Sequence, residues 1–401
     1  MLHIGLINEG KKPPDNRVAL SPQQCITVQE KFDVKIIVEP SAHRCFPDDA
    51  YKNAGISVDS DLSTCDILLG IKEVPITQLI ENKTYLFFSH TKKKQPYNKP
   101  LMQAMIQKKI RLIDYECLTY PDNQRVLGFG FFAGVVGAHN GLLTYGKKNK
   151  LFELKPAHLA DDYEDMLKPY QDIHLPPIKI VLTGGGKVAS GMLEIMNRFD
   201  IEYVEPQDFL ANTYDYPVYT HLKGDSLYVR KDDGTYHRDD FHQNPEAYRC
   251  LFPQYLACTD ILMNGIYWDK NIPRLFEKED ITRDDFKIRV IADITCDQDG
   301  SVPINYGAST IADPVYGIHR TTGEKTAPFL PGDETIDVMA VDNLPNELPR
   351  DASIHFGSHL KKFILPELLS SERSEMIERA TICEQGKLTP YYEYLSDYAY
   401  E

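Results

Sequence analysis

The chain has 401 residues, 42 % of them hydrophobic and 26 % charged, with a formal net charge of −15. That is a globular composition long enough for two domains. Its acidic balance excludes a broad nucleic-acid or anionic-membrane surface, since both need a basic footprint. A small cationic pocket for an acidic metabolite remains possible. Eight cysteines lie scattered with no C-x-x-C pair. This argues against a zinc site or disulfide framework and predicts free thiols in a reducing cytoplasm. The N-terminal MLHIGLINEGKK reads as a strand entering a loop rather than a leader, and no apolar run reaches membrane-spanning length.

In chain order, MLHIGLIN predicts a strand and SPQQCITVQEKF a helix, with Ser21 as cap, Pro22 in the first turn and Gln24 closing a capping box. VKIIVEP is a strand, DDAYKNAGI a short helix, DILLGI and TYLFFS two buried strands, KPLMQAMIQKK a helix and IRLIDYE a strand. Such alternation implies a parallel sheet covered on both faces. GFGFFAGVVGAHNGLLTYGKK (128–148) predicts a long small-residue helix that packs closely on another element and links two domains. IKIVL (178–182) is the clearest strand of a second sheet, joined later by TDILMNGIYW and KIRVIADIT. The stretch 206–250 reads as an insertion in which SLYVRKDDGTYHR forms a hairpin turning at Asp-Asp-Gly. From Asp342 the chain reads as a helix returning to the first domain. The expected architecture is α/β: two Rossmann-like doubly wound domains joined by long helices, with the active site in the cleft between them. Residues 1–135 with 341–401 form a discontinuous catalytic domain, and 136–340 the dinucleotide-binding domain.

DILLGI runs into Lys72 and Glu73, and TYLFF into Ser89 and His90. Both strands therefore end at the carboxyl edge, where open α/β sheets bind ligands. A lysine and a histidine there are tools of proton transfer, although either alone is more often solvated. Arg17 follows the first strand at the same edge and can hold a carboxylate in a two-bond fork; Arg125 is a second, weaker candidate. Lys92, Lys93 and Lys94 read as a solvated face and His139 as a satisfied core histidine.

IKIVLTGGGKVASGMLEIMNRFDIEYVEP carries the strongest signal. Gly184, Gly186 and Ala189 fit the G-x-G-x-x-A turn between strand and helix, with Gly185, Lys187 and Val188 between them. Its helix N-terminus suits a pyrophosphate. Glu205 ends the next expected strand, where an acid bonds both ribose hydroxyls and favours NAD. A ligand-free glycine turn is the bland alternative, and it explains the register of strand, helix and acid less well.

These parts resemble a family. NRVALSP, GIKEVP, TYLFFSHTKKKQ, IRLIDYE, GGGKVASG, EYVEP, NGIYWDKNIPRLF, ADITCDQDGSV and VDNLPNELPRDAS are similar to the lysine-forming saccharopine dehydrogenases. The likeness is greatest to the lysine–2-oxoglutarate reductase domain of the aminoadipate-semialdehyde synthases. Alanine dehydrogenase and a transhydrogenase subunit are broader kin. The resemblance covers nearly the whole chain, and FFSHT, RLIDYE, NGIYW and DNLP belong to the saccharopine branch. It implies an oxidoreductase acting on CH–NH donors, which interconverts saccharopine with lysine and 2-oxoglutarate by hydride transfer to or from NAD(P).

By the same resemblance Lys72 and His90 match the acid–base pair, and Glu73 and Glu116 match carboxylates close to it. Arg17 and Arg125 would face the substrate carboxylates. The turn from Gly184 to Ala189, with Glu205, Asn264, Gly265 and Asp293, would bind the cofactor. Val188 stands where some relatives carry a cysteine. Glu73 follows the fungal NAD enzymes, whereas EYVEP and the insertion follow the reductase domain, which generally uses NADPH. NAD is therefore expected on Glu205, with NADP open through Lys223, Arg230 or Lys231. The glutamate-forming module of the bifunctional enzymes is not expected in this chain. No metal, nucleic-acid or membrane partner is expected, and a monomer or homo-oligomer fits equally. Another amino-acid dehydrogenase of the same fold, or a non-catalytic dinucleotide-binding regulator, are the alternatives.

Overall fold

In the computed structural model, which describes residues 1–401, the chain opens on β1 (Leu2–Leu6) and α1 (Pro22–Phe32). The capping box forms as expected: the Gln24 amide donates to Ser21 Oγ at 3.3 Å and the Ser21 amide to Gln24 Oε1 at 2.9 Å. There follow β2 (Val34–Val38), α2 (Asp48–Asn53), β3 (Ser57–Val58), β4 (Ile67–Leu69), β5 (Thr84–Phe87), α3 (Lys99–Gln107) and β6 (Arg111–Asp114). These six strands pair in parallel in the order β3-β2-β1-β4-β5-β6. The apolar runs ILL and YLF are buried without alternation, as strands covered on both faces must be. Strand order reverses between β1 and β4, which opens a crevice at their carboxyl ends. The Gly70 amide donates to Leu86 and that of Phe88 to Ile71. β4 and β5 therefore run side by side up to Lys72 and to Ser89–His90.

A second unit covers residues 130–348. It begins with α4 (Gly130–Asn149) and α5 (Tyr163–Leu167). Next come β7 (Lys179–Thr183), α6 (Lys187–Arg198), β8 (Glu202–Tyr203), α7 (Pro206–Ala211) and β9 (Val218–Leu222). The remainder comprises β10 (Tyr228–Arg230), α8 (Arg238–Gln243), β11 (Tyr248–Cys250), β12 (Ile261–Asn264), β13 (Val290–Asp293), β14 (Val315–His319), β15 (Lys325–Thr326) and β16 (Thr335–Met339). Its sheet runs β15-β14-β16-β13-β12-β7-β9-β8, parallel except for β14 and β15. The small residues of α4 let it meet α6 backbone to backbone. A Cβ on Gly134 would fall 2.0 Å from the Val188 carbonyl oxygen, and one on Gly191 2.0 Å from that of Phe131.

The stretch 206–250 departs from the expected insertion, because β9 lies within the sheet, directly beside β7. The hairpin departs too. Its turn forms, with the Arg230 amide on the Thr235 carbonyl at 2.8 Å, but β10 pairs with β11, Tyr228 opposite Cys250 and Arg230 opposite Tyr248. Tyr228 and Tyr248 bury their rings against Phe241, whereas Thr235 and His237 stay exposed and have little to gain from a strand.

The chain returns to the first unit through α9 (Pro349–His359), α10 (Leu365–Leu368), α11 (Glu375–Ala380), β17 (Thr381–Glu384), β18 (Lys387–Leu388) and α12 (Ser396–Tyr400). β17 adds antiparallel to β6, and β18 to β17. The expected single helix from Asp342 is broken. Leu344–Glu347 is one tight turn, and α9 starts only at Pro349, since proline cannot continue a helix from its N-terminal side. The units divide at 129/130 and 348/349, several residues from the boundaries read from sequence. α4 belongs whole to the second unit, where Asn140 holds the buried Glu347 carboxylate at 2.9 Å. No helix is long and apolar enough to cross a membrane.

Candidate active site

The crevice between β1 and β4 collects ionisable groups. Glu9, beyond the end of β1, is half-buried and accepts the amides of Ile71 at 2.6 Å and Lys72 at 2.9 Å. Burial and the nearby Asp15 charge raise its carboxyl to about 8 against the pull of those two amides. Lys72 is half-buried, and its ammonium is in no hydrogen bond or ion pair. Its pKa is lowered, first by burial and then by the charges of Arg17 and Lys11; Asp15 and Glu73 oppose the shift. This is how a lysine becomes a usable base.

Glu73 joins the two strand ends. His90 Nδ1 lies 2.6 Å from Glu73 Oε1, and Lys11 Nζ lies 3.1 Å from Oε2. Asn98 Nδ2 donates to Glu73 Oε1 at 3.3 Å and to the Ser89 carbonyl at 2.9 Å. Burial alone would raise the Glu73 carboxyl, but the His90 hydrogen bond, its own backbone amide and the charges of His90 and Lys11 together hold it well below the usual carboxylate range. The carboxylate is therefore ionised and accepts Nδ1–H, leaving Nε2 of His90 for a reacting group. His90 takes a left-handed backbone, φ +50°. The strand end beneath it is fixed by Asp114, which accepts both the amide and the hydroxyl of Ser89.

Arg17 is only 3 % exposed. Its Nε and one terminal nitrogen form a fork on Asp15 at 2.9 and 2.5 Å, and the guanidinium lies 4.2 Å over the Phe129 ring. The expected fork for a substrate carboxylate is thus already engaged. Despite burial, Arg17 charge and hydrogen bonds bring the Asp15 carboxyl down to about 2. Glu116 also departs from expectation: it pairs with the half-exposed Arg125, not with Lys72 or His90. Lys94 pairs with Asp397, and His139 is a satisfied core residue, bonded to Tyr170 Oη and the Lys155 carbonyl. Glu9, Asp15 and Asn98 were not legible as site residues in the sequence. The available signal for Glu9 was its place just past the first strand, at the edge that carries Lys72.

In the second unit, the residues fit a dinucleotide. Gly184 has φ +107°, and a Cβ there would lie 2.5 Å from the Gly265 carbonyl oxygen; one on Gly186 would meet nothing within 4 Å. α6 begins at Lys187 with Gly186 as its N-cap and no side chain capping it. That is an open cradle for a pyrophosphate at a helix N-terminus. Ala189 is buried, as helix–strand packing requires. Asn264 and Asp293 are turned inward instead. Asn264 Nδ2 donates to Asp293 Oδ1 and Ser301 Oγ, both at 2.8 Å, while Thr183 donates to Asn264 Oδ1 at 2.7 Å and Asn305 to Asp293 Oδ2 at 2.7 Å. The network ties the ends of β7, β12 and β13 together beneath the turn. Glu205 is exposed, on the loop after the edge strand β8 and not beside β7. It accepts the Tyr203 hydroxyl at 3.1 Å.

Residues 5–136 match the family "Alanine dehydrogenase/PNT, N-terminal domain". Over 430 residues the chain is 30 % identical to the mitochondrial alpha-aminoadipic semialdehyde synthase of Mus musculus, covering 95 % of this chain and 46 % of that protein. It is 26 % identical over 366 residues to the saccharopine dehydrogenase [NAD(+), L-lysine-forming] of Candida glabrata, covering 87 % of each. A solved L-alanine dehydrogenase shares the fold, with a TM-score of 0.65 at 14 % identity over 99 % of both chains. The chain spans less than half the length of the semialdehyde synthases it matches. Its homologues thus include the aminoadipic semialdehyde synthases and the lysine-forming saccharopine dehydrogenases, and its first third matches the alanine dehydrogenase/PNT N-terminal domain.

Proposed function

We propose that the protein is a nicotinamide-dependent oxidoreductase interconverting saccharopine with L-lysine and 2-oxoglutarate, with Lys72 and His90 as its acid–base pair. The observation that carries this reading is Lys72: an unpaired, half-buried ammonium with a lowered pKa, one residue from the carboxylate that orients His90. The named homologues supply the substrate class.

A nicotinamide dinucleotide bound at the glycine turn would give or take the hydride. The protein's own side chains handle protons. Neutral Lys72 accepts a proton from the substrate ammonium, freeing the amine that attacks the ketone. His90, with Nδ1–H held by Glu73, gives a proton from Nε2 to the oxygen that departs as water and takes one from water in the reverse direction. Arg17 is committed to Asp15 and acts through its charge, lowering Lys72 and favouring carboxylates nearby. Arg125 is the more exposed cation for a substrate carboxylate, in exchange for Glu116. We place the reaction in a reducing compartment, the cytoplasm being the expected one. By its name, the mouse homologue is mitochondrial.

The test is oxidation of NADH and NADPH with lysine plus 2-oxoglutarate, beside a panel of other amines and keto acids. Lysine-dependent turnover supports the reading. Turnover with another pair makes the protein a different amino-acid dehydrogenase of the same fold. Tight dinucleotide binding with no turnover on any pair makes it a regulator.

A further inference from the structure

Asn98 stands at the N-cap of α3, where an asparagine ordinarily binds one of the first free amides of the helix. Here it makes no such bond. Its backbone, at φ −99° and ψ 3°, lacks the extended form that capping uses, and the second helical residue, Pro100, has no N–H to offer. The buried side chain turns to the ends of β4 and β5 instead. Its Nδ2 donates to the Ser89 carbonyl at 2.9 Å and to Glu73 Oε1 at 3.3 Å. A carbonyl and an ionised carboxylate are acceptors only. The nitrogen of the Asn98 amide, and not its oxygen, must therefore face them.

Those two contacts reach His90 from two directions. The Ser89 carbonyl belongs to the peptide that leads into His90, whose backbone is left-handed at φ +50°. A β-carbon disfavours that form, so the neighbours must hold it. On the far side of His90 the Thr91 amide donates to Ser89 Oγ at 3.3 Å, and the Ser89 and Thr91 hydroxyl oxygens lie 2.7 Å apart. Glu73 Oε1, the second partner of Asn98, is the oxygen that also takes His90 Nδ1, at 2.6 Å. Asn98 thus bonds both the peptide before His90 and the carboxylate on its ring. The intervening loop allows this by folding back: the Lys94 amide donates to the Thr91 carbonyl at 2.9 Å, and the Asn98 amide to the Gln95 carbonyl at 3.0 Å.

We propose that Asn98 is a positioning residue for His90. With one nitrogen it tethers the Ser89 carbonyl and Glu73 Oε1, and so keeps the neutral imidazole in the tautomer that carries its proton on Nδ1 and leaves Nε2 bare for the reacting group. Without the tether the Glu73 carboxylate can turn about its own side chain, and the imidazole then exchanges between its two tautomers as it does in water. This deepens the acid–base reading of His90 and rests on it.

The test reads the ring directly. Protein labelled with ¹⁵N-histidine, at a mildly alkaline pH where imidazoles are neutral, gives ring-nitrogen shifts for wild type, Asn98→Ala and Asn98→Leu. His90→Gln identifies the His90 signals among the twelve histidines. Both Asn98 variants lack the donor, and leucine keeps the volume, so Asn98→Leu decides alone if Asn98→Ala fails to fold. Wild type should show a well-separated pair, Nδ1 protonated and Nε2 bare. In the variants the two shifts should move towards each other as the tautomers mix. With lysine and 2-oxoglutarate, kcat should fall about tenfold, the worth of one hydrogen bond, while KM and dinucleotide affinity stay within about twofold. Unmoved His90 shifts overturn the proposal whatever happens to stability or turnover, because a merely structural residue would lower stability and leave the tautomer alone. A wild-type proton on Nε2 overturns it as well. If wild type turns over no amine and keto-acid pair while the shifts still respond, the positioning of the imidazole stands and the substrate reading falls.

Discussion

Glu9 and Lys72 meet through the main chain, the Glu9 carboxyl accepting the Lys72 amide at 2.9 Å. The same carboxyl holds the amide of Ile71, so one acid sets the loop that presents the lysine. Its pKa is raised from 4.5 to about 8 by burial first and Asp15 second. The folded protein thus keeps a proton that the unfolded chain releases between pH 4.5 and 8. Stability from this group is complete below pH 4.5, declines as pH rises, and is lost above about 8, with a slope of at most ~1.4 kcal/mol per pH unit. Denaturant unfolding across that window should show wild type losing stability relative to Glu9→Gln as pH rises. A pH-independent difference between the two would mean that Glu9 is ionised in the folded state.

Lys72→Met and His90→Gln should each lower kcat by roughly 10²–10⁴-fold, the usual worth of a positioned proton-transfer group. Dinucleotide affinity, measured by titration, should stay within about twofold in both, because neither residue belongs to the unit that carries the glycine turn. Unchanged kcat in either variant removes that residue from the chemistry.

Lys11 is a surface lever on the same lysine. Its charge helps to lower Lys72, and its side chain is 41 % exposed. Lys11→Met takes a positive charge away, so the Lys72 pKa rises. The limb of the pH–rate profile that depends on neutral Lys72 should then move to higher pH, by the modest amount one screened surface charge allows. A shift to lower pH would contradict this assignment of the limb.

Gly134→Ala and Gly191→Ala test the contact between α4 and α6. Each would press a methyl to within 2.0 Å of a carbonyl oxygen. Backbone must move, and we expect about 1–3 kcal/mol of destabilisation, or more, from each overpacked site. Gly186→Ala has open space and should cost stability much less. Thermal unfolding of the three variants would rank them.

Much of this was legible in the sequence because it depends on local chemistry. DILLGI and TYLFF had to be buried strands, so Lys72 and His90 had to emerge at one edge. Ser21 and Gln24 had to cap a helix, and the glycines of α4 had to let another backbone approach. Sheet order was not legible, since it depends on which strand can be covered on both faces. Four of the five VYTHL residues are buried, and the strand takes the interior place, whereas the paired residues of β8, Glu202 and Tyr203, are both exposed and take the edge. Partner choice among acids was equally hidden. Glu116 could serve Lys72 or Arg125, and Arg17 could serve a substrate or Asp15; only the fold decides between them.

The division of the first unit between residues 1–129 and 349–401 also orders events during synthesis. The loop bearing Arg17 is tied by the Val18 amide to Ser353 Oγ at 2.9 Å, and β6 receives its outer neighbour β17 only from Thr381 onward. The middle unit is one continuous stretch and can mature while the ribosome is still working. The first unit must hold an unfinished sheet edge open across more than two hundred residues of translation. The crevice that holds Lys72 and His90 is then among the last parts of the molecule to be secured, so truncation near the carboxyl end should loosen it while sparing the glycine turn.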